Sequence, residues 1–522
     1  MTTACRFTRR RLLGTTAGLA VVAATASTPG LAWAQARRGG TLRVSVDQGA
    51  GVLNPLLQRV NPEYLLGEML YSGLTRLGPD MSAEPDLASE WSANDDLSEW
   101  TFTLRRGVTF HDGSPLTAED VVATFEAILD EATGSPARRN IGPVTGVSAQ
   151  GELAVRFTLS GSYADLPVAL AYTNARIVPA GVLRSDMARL NAEAIGTGPF
   201  RLVSFEPDRL VVLERNPDYY DPGRPFLDRV EMVVYPDATS EGSALVAGDT
   251  DLMLRVNPTD YARLSGVAGI IGLRTPSGQF LNVNMACDAP PFNDPRVRKA
   301  LALSVDRAAL VEFTAEGFGT VGNDTPVNAA YRFHADLPGR RQDYDEARRL
   351  MAEAGFADGL TIRLVASERP ATRAQLAVAL REMARPAGFN IEVQTMAHAT
   401  YLEQVWKQGN FYVGFYNMQP TADGIFSLLF TSDAAWPETR WNNPGFDALV
   451  AEARRTADTP RRAALYADAQ RLMNAEVPAV IPVFFDLLAA QRDHVHDFVL
   501  HPRGAVFRLD QVWLDENAPT RG

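Results

Sequence analysis

Trp100-Thr101-Phe102-Thr103-Leu104-Arg105-Arg106-Gly107-Val108-Thr109-Phe110-His111-Asp112-Gly113-Ser114-Pro115-Leu116-Thr117-Ala118-Glu119-Asp120-Val121-Val122 continues as Ala123-Thr124-Phe125-Glu126-Ala127-Ile128-Leu129. Trp100, Phe102 and Leu104 alternate with polar residues, the period of a half-buried strand. Arg106-Gly107 allows a turn, and Val108 and Phe110 repeat the alternation as a second short strand. Asp112-Gly113-Ser114-Pro115 is turn chemistry. Thr117 opens a Thr-Ala-Glu-Asp capping pattern, in which hydroxyl and carboxylate satisfy free amides at a helix start. Val121, Val122, Phe125, Ile128 and Leu129 follow at helical spacing. Strand, turn, strand, turn and capped helix make a compact unit, and His111-Asp112 reads as a structural turn rather than an acid–base pair.

This order of residues resembles the extracellular solute-binding proteins of family 5, the dipeptide, oligopeptide and nickel-binding group that serves ABC importers. The resemblance runs from Gly39 to about Phe485. It implies a type II periplasmic binding protein fold of α/β class: two lobes with an extra domain, mixed sheets, and a solute held between lobes that close on a hinge. It also implies permease subunits as partners and a monomer carrying no cofactor.

Thr8-Arg9-Arg10-Arg11-Leu12-Leu13, the mildly apolar run 14–26 and Ala32-Trp33-Ala34 form a secretory signal cleaved near Ala34. The Arg9-Arg10 pair resembles a twin-arginine address. The expected location is therefore the periplasm. Residues 1–34 carry four arginines and no acids, so removing them leaves 46 basic against 62 acidic residues, a net charge of −16. Such a chain repels phosphate backbones and anionic lipid, which argues against nucleic-acid partners. Cys5 leaves with the signal, so Cys287 stands alone and no intramolecular disulfide forms.

Length and spacing divide the chain into a signal peptide 1–34, a first domain built from 35–67, 195–277 and 498–522, a second domain 68–194 and a third domain 278–497. In the first domain, Leu42, Val44 and Val46 share one face of an opening strand. Tyr64 to Leu77 reads as a helix running into a turn. Arg201–Phe205 and Leu210–Glu214 read as a hairpin, and Val230–Tyr235 and Ser240–Ala247 as a strand and a helix. Gly196-Thr197-Gly198-Pro199 looks like a phosphate loop, but Pro199 breaks the spacing and a strand follows. In the third domain, Asp294-Pro295 and Asp306 start helices, Tyr344 opens another that stops at Gly355, and Thr459-Pro460 caps the last. Leu360–Val365, Ile391–Val393 and Val480–Phe485 read as strands, and Gln375–Ala384 as a helix. This alternation points to a mostly parallel sheet.

Catalytic patterns are not found. The two lysines, Lys299 and Lys407, do not follow glycine, which excludes a Walker A loop, and neither a His-Glu-x-x-His nor a Gly-x-Ser-x-Gly motif occurs. The expectation is a binding protein and not an enzyme. A secreted hydrolase, or a periplasmic chaperone or receptor on the same fold, are the alternatives. His494 and His496 share a strand face and would need a third ligand to hold a metal, so a solvated strand is the expected reading.

The resemblance places the solute against Asn54, in a loop beneath the cleft, against Phe280 and Asn282 on the strand entering the third domain, and against Phe415, Tyr416 and Asn417. Peptide-binding members carry Gly-Trp-x-x-Asp in this last strand, where the Asp meets the peptide amine. Here the run is Gly414-Phe415-Tyr416-Asn417-Met418, with Met418 in place of the carboxylate. Asp423 is the substitute carboxylate or a helix cap for Ile425–Phe430. Trp436 and Trp441, on what reads as a loop, either complete the wall or pack in the core. A peptide or peptide-like solute, an opine, a sugar conjugate and a metal chelate all remain open.

Overall fold

The computed structural model describes residues 36–521; the stretch read as a secretory signal, with its arginine pair, lies outside the described residues. No helix among the described residues is long and apolar enough to cross a membrane.

The opening unit folds around the strand Glu99–Leu104, whose Trp100, Phe102 and Leu104 are buried. It pairs antiparallel with Ala88–Ala93 and with Ala154–Leu159, and Val144–Ala149 completes a four-stranded sheet. The helix Ala118–Leu129 covers it, with Phe125 edge-on to Phe157 at 4.8 Å and Phe157 edge-on to Phe102 at 5.4 Å. The capping pattern forms: the Thr117 amide donates to Asp120 Oδ2 at 2.8 Å. Asp120 Oδ1 also accepts the Ala180 amide at 2.8 Å, so one carboxylate starts two helices. The second short strand does not form. Val108 and Phe110 are buried, but only Thr109 and Pro115 bridge, because the Asp112–Ser114 turn returns the chain before a ladder can extend.

The first domain is a mixed sheet. Thr41–Val46 lies parallel to Arg229–Val234 and to Leu252–Met253, and the hairpin Phe200–Glu206/Leu210–Arg215 adds antiparallel strands. Leu42, Val44 and Val46 are buried as the alternation requires. The helix and turn read over Tyr64–Leu77 are the helix Asn61–Leu70, which starts three residues earlier, and the strand Thr75–Leu77 paired with Ala83–Pro85. The helix from Ala238 to Ala247 begins two residues early because Asp237 caps it, accepting the Thr239 and Ser240 amides. The Gly196–Gly198 segment presses on the end of the helix Asn61–Leu70. A Cβ at Gly196 would stand 2.0 Å from the Leu70 oxygen, and one at Gly198 2.4 Å from the Leu70 carbonyl carbon. Close backbone approach, not phosphate, is why those glycines are there.

Two long strands, Ile270–Met285 and Ala479–Arg492, run antiparallel to each other and join the two halves of an eleven-stranded sheet. At one end Ala479–Arg492 pairs with Leu252–Met253 of the first domain; at the other, Ile270–Met285 pairs with Phe411–Tyr416 of the third. The ladder shifts register between Pro276 and Gln279, midway along. The run read as Val480–Phe485 is thus the front half of a 14-residue strand. In the third domain, Leu360–Ser367 is parallel to Phe389–Met396 and touches Phe411–Tyr416 in parallel, while Ile270–Met285 pairs with Phe411–Tyr416 antiparallel. Pro295–Leu303, Arg307–Ala315 and Tyr344–Glu353 form helices as read, with Asp294, Asp306 and Asp343 as their caps. The last long helix, Thr459–Glu476, is capped by Asp458, which accepts the Arg461 amide at 2.8 Å; Thr459 and Pro460 fill its first turn.

Buried charges gather where the segments read as the first and second domains meet. Asp86 accepts the Gly73 amide at 2.9 Å and is bonded to the Tyr220 hydroxyl, and Arg176 pairs with Glu68. Arg508 Nε donates to Asp510 at 2.9 Å, and Arg224 and Arg76 approach the same carboxylate at 3.3 and 3.8 Å. His111 belongs to this seam as well. Its ring nitrogens face the carbonyls of Ala194 and Gly198 at 3.3 and 3.1 Å, and burial lowers its proton affinity, so it clamps the chain's return to the first domain.

Candidate functional site

The register of the third-domain sheet sets Phe280 opposite Tyr416, Asn282 opposite Gly414, and Asn284 opposite Tyr412. Because side chains alternate, Leu281, Val283, Met285, Phe411 and Val413 enter the helix-covered core. Phe280, Asn282, Asn284, Tyr412 and Tyr416 occupy the other face. Two asparagines on the inner face of a central strand require partners. Asn282 Nδ2 donates to Asn284 Oδ1 at 2.6 Å, and Asn284 Nδ2 donates to Glu438 Oε2 at 2.6 Å. Gly414 makes room for them, since a Cβ there would stand 2.3 Å from Asn282 Oδ1.

Aromatic rings surround this polar row. Tyr416 lies 5.8 Å from Phe280 and 6.0 Å from Trp436, and Trp436 meets Trp406 edge-on at 5.3 Å. Trp406 Nε1 donates to the Tyr416 hydroxyl at 3.2 Å. The Arg373 guanidinium lies 5.2 Å from the centre of the Tyr401 ring, which in turn stands edge-on to Tyr412 at 6.1 Å. Glu438 is 1% exposed, and burial raises its carboxyl above the usual range despite hydrogen bonds from Tyr416, Asn282 and Asn284 and the charge of Arg373.

Beside this wall the two lobes touch. Leu77, Met81, Val168, Ala171 and Val506 pack in one apolar cluster with Phe280, Tyr331, Tyr416 and Met418. Asp165 pairs with Arg462, both nearly buried, and the Ala164 amide donates to the Arg454 carbonyl at 2.8 Å. Arg454 Nε also donates to Asp423 at 3.0 Å.

The structure brings four of the sequence-predicted residues together: Phe280, Asn282, Tyr416 and Trp436. Phe415 points to the opposite face, half-buried, with its ring 6.1 Å from Phe485. Asn417 is exposed beside the register shift and accepts from Gln279 Nε2 at 2.6 Å. Asn54 is buried in its own loop, where its Oδ1 accepts the Leu56 amide at 3.0 Å. Trp441 is a core residue 4.9 Å from Phe446, its Nε1 donating to Glu476 at 2.9 Å. Asp423 does not cap its helix; Thr421 does, accepting the Gly424 amide at 2.9 Å. The Asp423 carboxylate is instead committed to Arg454 and Ser427, with burial raising its proton affinity. Met418 is buried, and its Sδ accepts the Gly278 amide at 3.3 Å across the register shift. His494 and His496 do not converge on a common site. His494 bonds Asp251 at 3.0 Å and His496 bonds Asp515 at 2.9 Å, and no group of three metal-ligating side chains occurs among the described residues. Sequence reading missed Glu438, Arg373, Asn284 and Trp406. The available signal was a lone acid between Trp436 and Trp441.

The family described as bacterial extracellular solute-binding proteins, family 5 (middle), matches residues 82–436. Di/tripeptide-binding protein 1 of Pseudomonas aeruginosa is 26% identical over 454 residues, covering 80% of this chain and 84% of the relative. HbpA2 from Haemophilus parasuis superposes with a TM-score of 0.83 at 23% identity, over 91% of this chain and 100% of that one. The unliganded open form of MppA, a periplasmic murein tripeptide binding protein, gives a TM-score of 0.82 at 19% identity, over 92% of this chain and 98% of that one. These likenesses show the two-lobed α/β periplasmic-binding-protein fold with mixed sheets.

Proposed function

The chain belongs to the bacterial extracellular solute-binding proteins of family 5, a substrate-binding protein of the ABC-importer type, and from that premise we propose that it captures a peptide or peptide-like solute between its lobes and delivers it to a membrane permease. The observation that carries this reading is the pair of long strands, Ile270–Met285 and Ala479–Arg492. They are the sheet's link between the lobes, and they break register midway, next to the aromatic wall of Phe280, Tyr416 and Trp436. Such a link supplies a hinge, and the wall supplies apolar area for a solute. The name of the 26%-identical relative, a di/tripeptide-binding protein, favours a peptide. The protein's work in this reading is binding, without a chemical step.

A second reading rests on Met418. In the pattern of the peptide-binding members its position belongs to the carboxylate that meets a peptide amine, and here the side chain is buried and accepts the Gly278 amide across the register shift. A non-peptide solute (an opine, a sugar conjugate or a metal chelate) suits that substitution.

A thermal-shift screen of di- and tripeptides, opines, sugar conjugates and metal chelates separates the two. A ligand at about 100 times its Kd stabilises the folded state by about 2.7 kcal/mol, a readable rise in Tm. A peptide should give that rise, and small-angle scattering should show the radius of gyration falling on its addition. A rise with an opine, sugar conjugate or metal chelate alone transfers the proposal to the second reading, and no rise with any solute removes both.

Export to the periplasm through the twin-arginine pathway is part of the same proposal, motivated by Arg9-Arg10 followed by Leu12-Leu13. Changing Arg9 and Arg10 to Lys should leave uncleaved precursor in the cytoplasm. Normal periplasmic amounts of that double variant would exclude the pathway.

A further inference from the structure

A cavity away from the third-domain wall lies at the start of the helix Asn61–Leu70. It measures about 380 Å3, within the range of small-molecule pockets, and Val52, Leu57 and Val60 give it apolar walls. Glu63 lines it too, but its charge is already spread over the backbone: Oε2 accepts the Arg59 and Val60 amides at 2.7 and 3.3 Å. Arg59 completes the lining on the side of the second domain, where Nη2 donates to the Gly134 carbonyl at 3.1 Å.

A row of side chains leads from this cavity to the junction of the lobes. Tyr64 follows Glu63 on the helix. Burial pushes its hydroxyl up to about 12, the Tyr172 hydroxyl adds to the rise, and the charges of Arg503 and Arg59 oppose it. Arg503 lays its guanidinium over the Tyr172 ring at 5.3 Å. Burial also raises the hydroxyl of Tyr331 in the third domain, again opposed by Arg503. That hydroxyl accepts the Gln419 amide at 3.1 Å, and a Cβ on Gly278 would stand 2.5 Å from the Tyr331 ring and 2.8 Å from Met418 Cγ. The row therefore ends at the register shift of the crossing strands.

Arg503 is held in place without being neutralised. His501 donates from Nε2 to the Gly78 carbonyl at 2.9 Å and accepts the Arg503 amide on Nδ1 at 3.2 Å, which needs the neutral ring; burial lowers its pKa to about 4. Arg503 Nε is buried without a hydrogen bond, and neither Arg503 nor Arg59 forms an ion pair among the described residues. Two guanidiniums thus stand against the one capping carboxylate of Glu63, a local excess of positive charge in an acidic chain. Such an excess favours an anion, and the apolar walls beside it favour an aliphatic stem. We propose that the cavity is a subsite on the first-lobe side for an aliphatic arm of the solute that ends in an anion, a carboxylate or a phosphate. The stem lies against Val52, Leu57 and Val60, the anion meets Arg59, and Arg503 keeps the approach from the lobe junction positive. The proposal rests on the solute-capture reading above and adds to it a preference for acidic solutes.

The test uses the full mature chain and three probes: alanyl-glutamate, alanyl-glutamine and alanyl-phosphoserine. Glutamine matches glutamate in size without the charge. Titration calorimetry of wild type should show at least one charged dipeptide binding about 10-fold or more tighter than alanyl-glutamine, the low end for a hydrogen bond to a charged group. Which of the two it is identifies the anion. Arg59→Gln should bring the affinities for that peptide and alanyl-glutamine together, and Arg503→Gln should narrow the gap. If wild type binds alanyl-glutamine as tightly as both charged peptides, the subsite is wrong while solute capture stands. A full preference retained by a folded Arg59→Gln overturns the subsite in the same way. If wild type binds none of the three probes, the subsite is overturned, and capture of other solutes is judged by the wider thermal-shift screen. Arg59 is exposed, so its variant should keep the wild-type melting temperature; should it fail to fold, the wild-type comparison across the probes decides by itself.

Discussion

Replacing Arg462 by Met should separate the two lobes without unfolding either. Arg462 comes from the long helix Thr459–Glu476 of the third domain, and its partner Asp165 from the second; their side chains are 7% and 6% exposed. The guanidinium also lies over the rings of Phe333 and Tyr466, at 5.0 and 5.6 Å, contacts that a Met side chain partly keeps. What Met cannot keep is the charge. Asp165 would be left buried beside Asp423, and removing one partner of a buried pair costs about 3–5 kcal/mol. That cost is relieved by letting water reach Asp165, and parting the lobes does so at the loss of the apolar contacts of Leu77, Met81, Val168, Ala171 and Val506 and of the Ala164–Arg454 hydrogen bond. Small-angle scattering of ligand-free protein should therefore show a larger radius of gyration, with little change in the denaturation midpoint. The double variant Asp165→Asn/Arg462→Met removes both charges and should return most of the way to wild type, which makes the pair a double-mutant cycle. An unchanged radius for Arg462→Met would mean that this ion pair has no part in holding the lobes together.

Asp324→Ala should be the most destabilising single change in the third domain. The carboxylate is 0% exposed and accepts Arg307 Nη2 at 2.9 and 2.7 Å, Arg340 Nε at 2.6 Å and the Ile481 amide at 3.1 Å. It thereby ties the helix Arg307–Ala315 to the strand Ala479–Arg492. Without it, the Arg307 guanidinium, whose side chain is 2% exposed, keeps only the carbonyls of Ala302 and Val305. The expected loss is about 3–5 kcal/mol. Asp324 also has φ +57°, a left-handed conformation that Asp tolerates better than Ala, which adds to the cost. Urea denaturation should show a lower midpoint with an unchanged slope. A loss under about 1 kcal/mol would show that the two arginines find other partners.

Local patterns are legible in this chain where the forces are local. Trp100, Phe102 and Leu104 alternate because a strand has period two. Asp294 before Pro295 and Thr117 before Asp120 are caps whose partners lie within a few residues. The same reasoning places the hairpin at 201–214 and the strands of the third domain. It fails for Val108 and Phe110, whose apolar alternation records burial under a turn, and for Thr459, because Asp458 one residue earlier offers the better acceptor.

The sequence by itself determined the family, the α/β class and the acidic charge, since these rest on motif order, periodicity and composition, which need no neighbours. Tertiary structure alone decided what each site candidate does. Asp423 and Glu438 are both buried acids of the third domain. One faces Arg454, and the other faces two asparagines and an arginine it does not touch, a difference set by which segments meet in space. Trp436 and Trp441, five positions apart, part company for the same reason: one borders the wall beside Tyr416, the other packs on Phe446 and bonds Glu476. The length of the two crossing strands was also hidden, because Ile270–Thr275, largely outside the core, and Asp486–Arg492 are held as strand by pairing with each other and with the first domain rather than by any periodic apolar face of their own. Burial and pairing between segments some two hundred residues apart are collective outcomes of the fold, and no spacing within either segment encodes them.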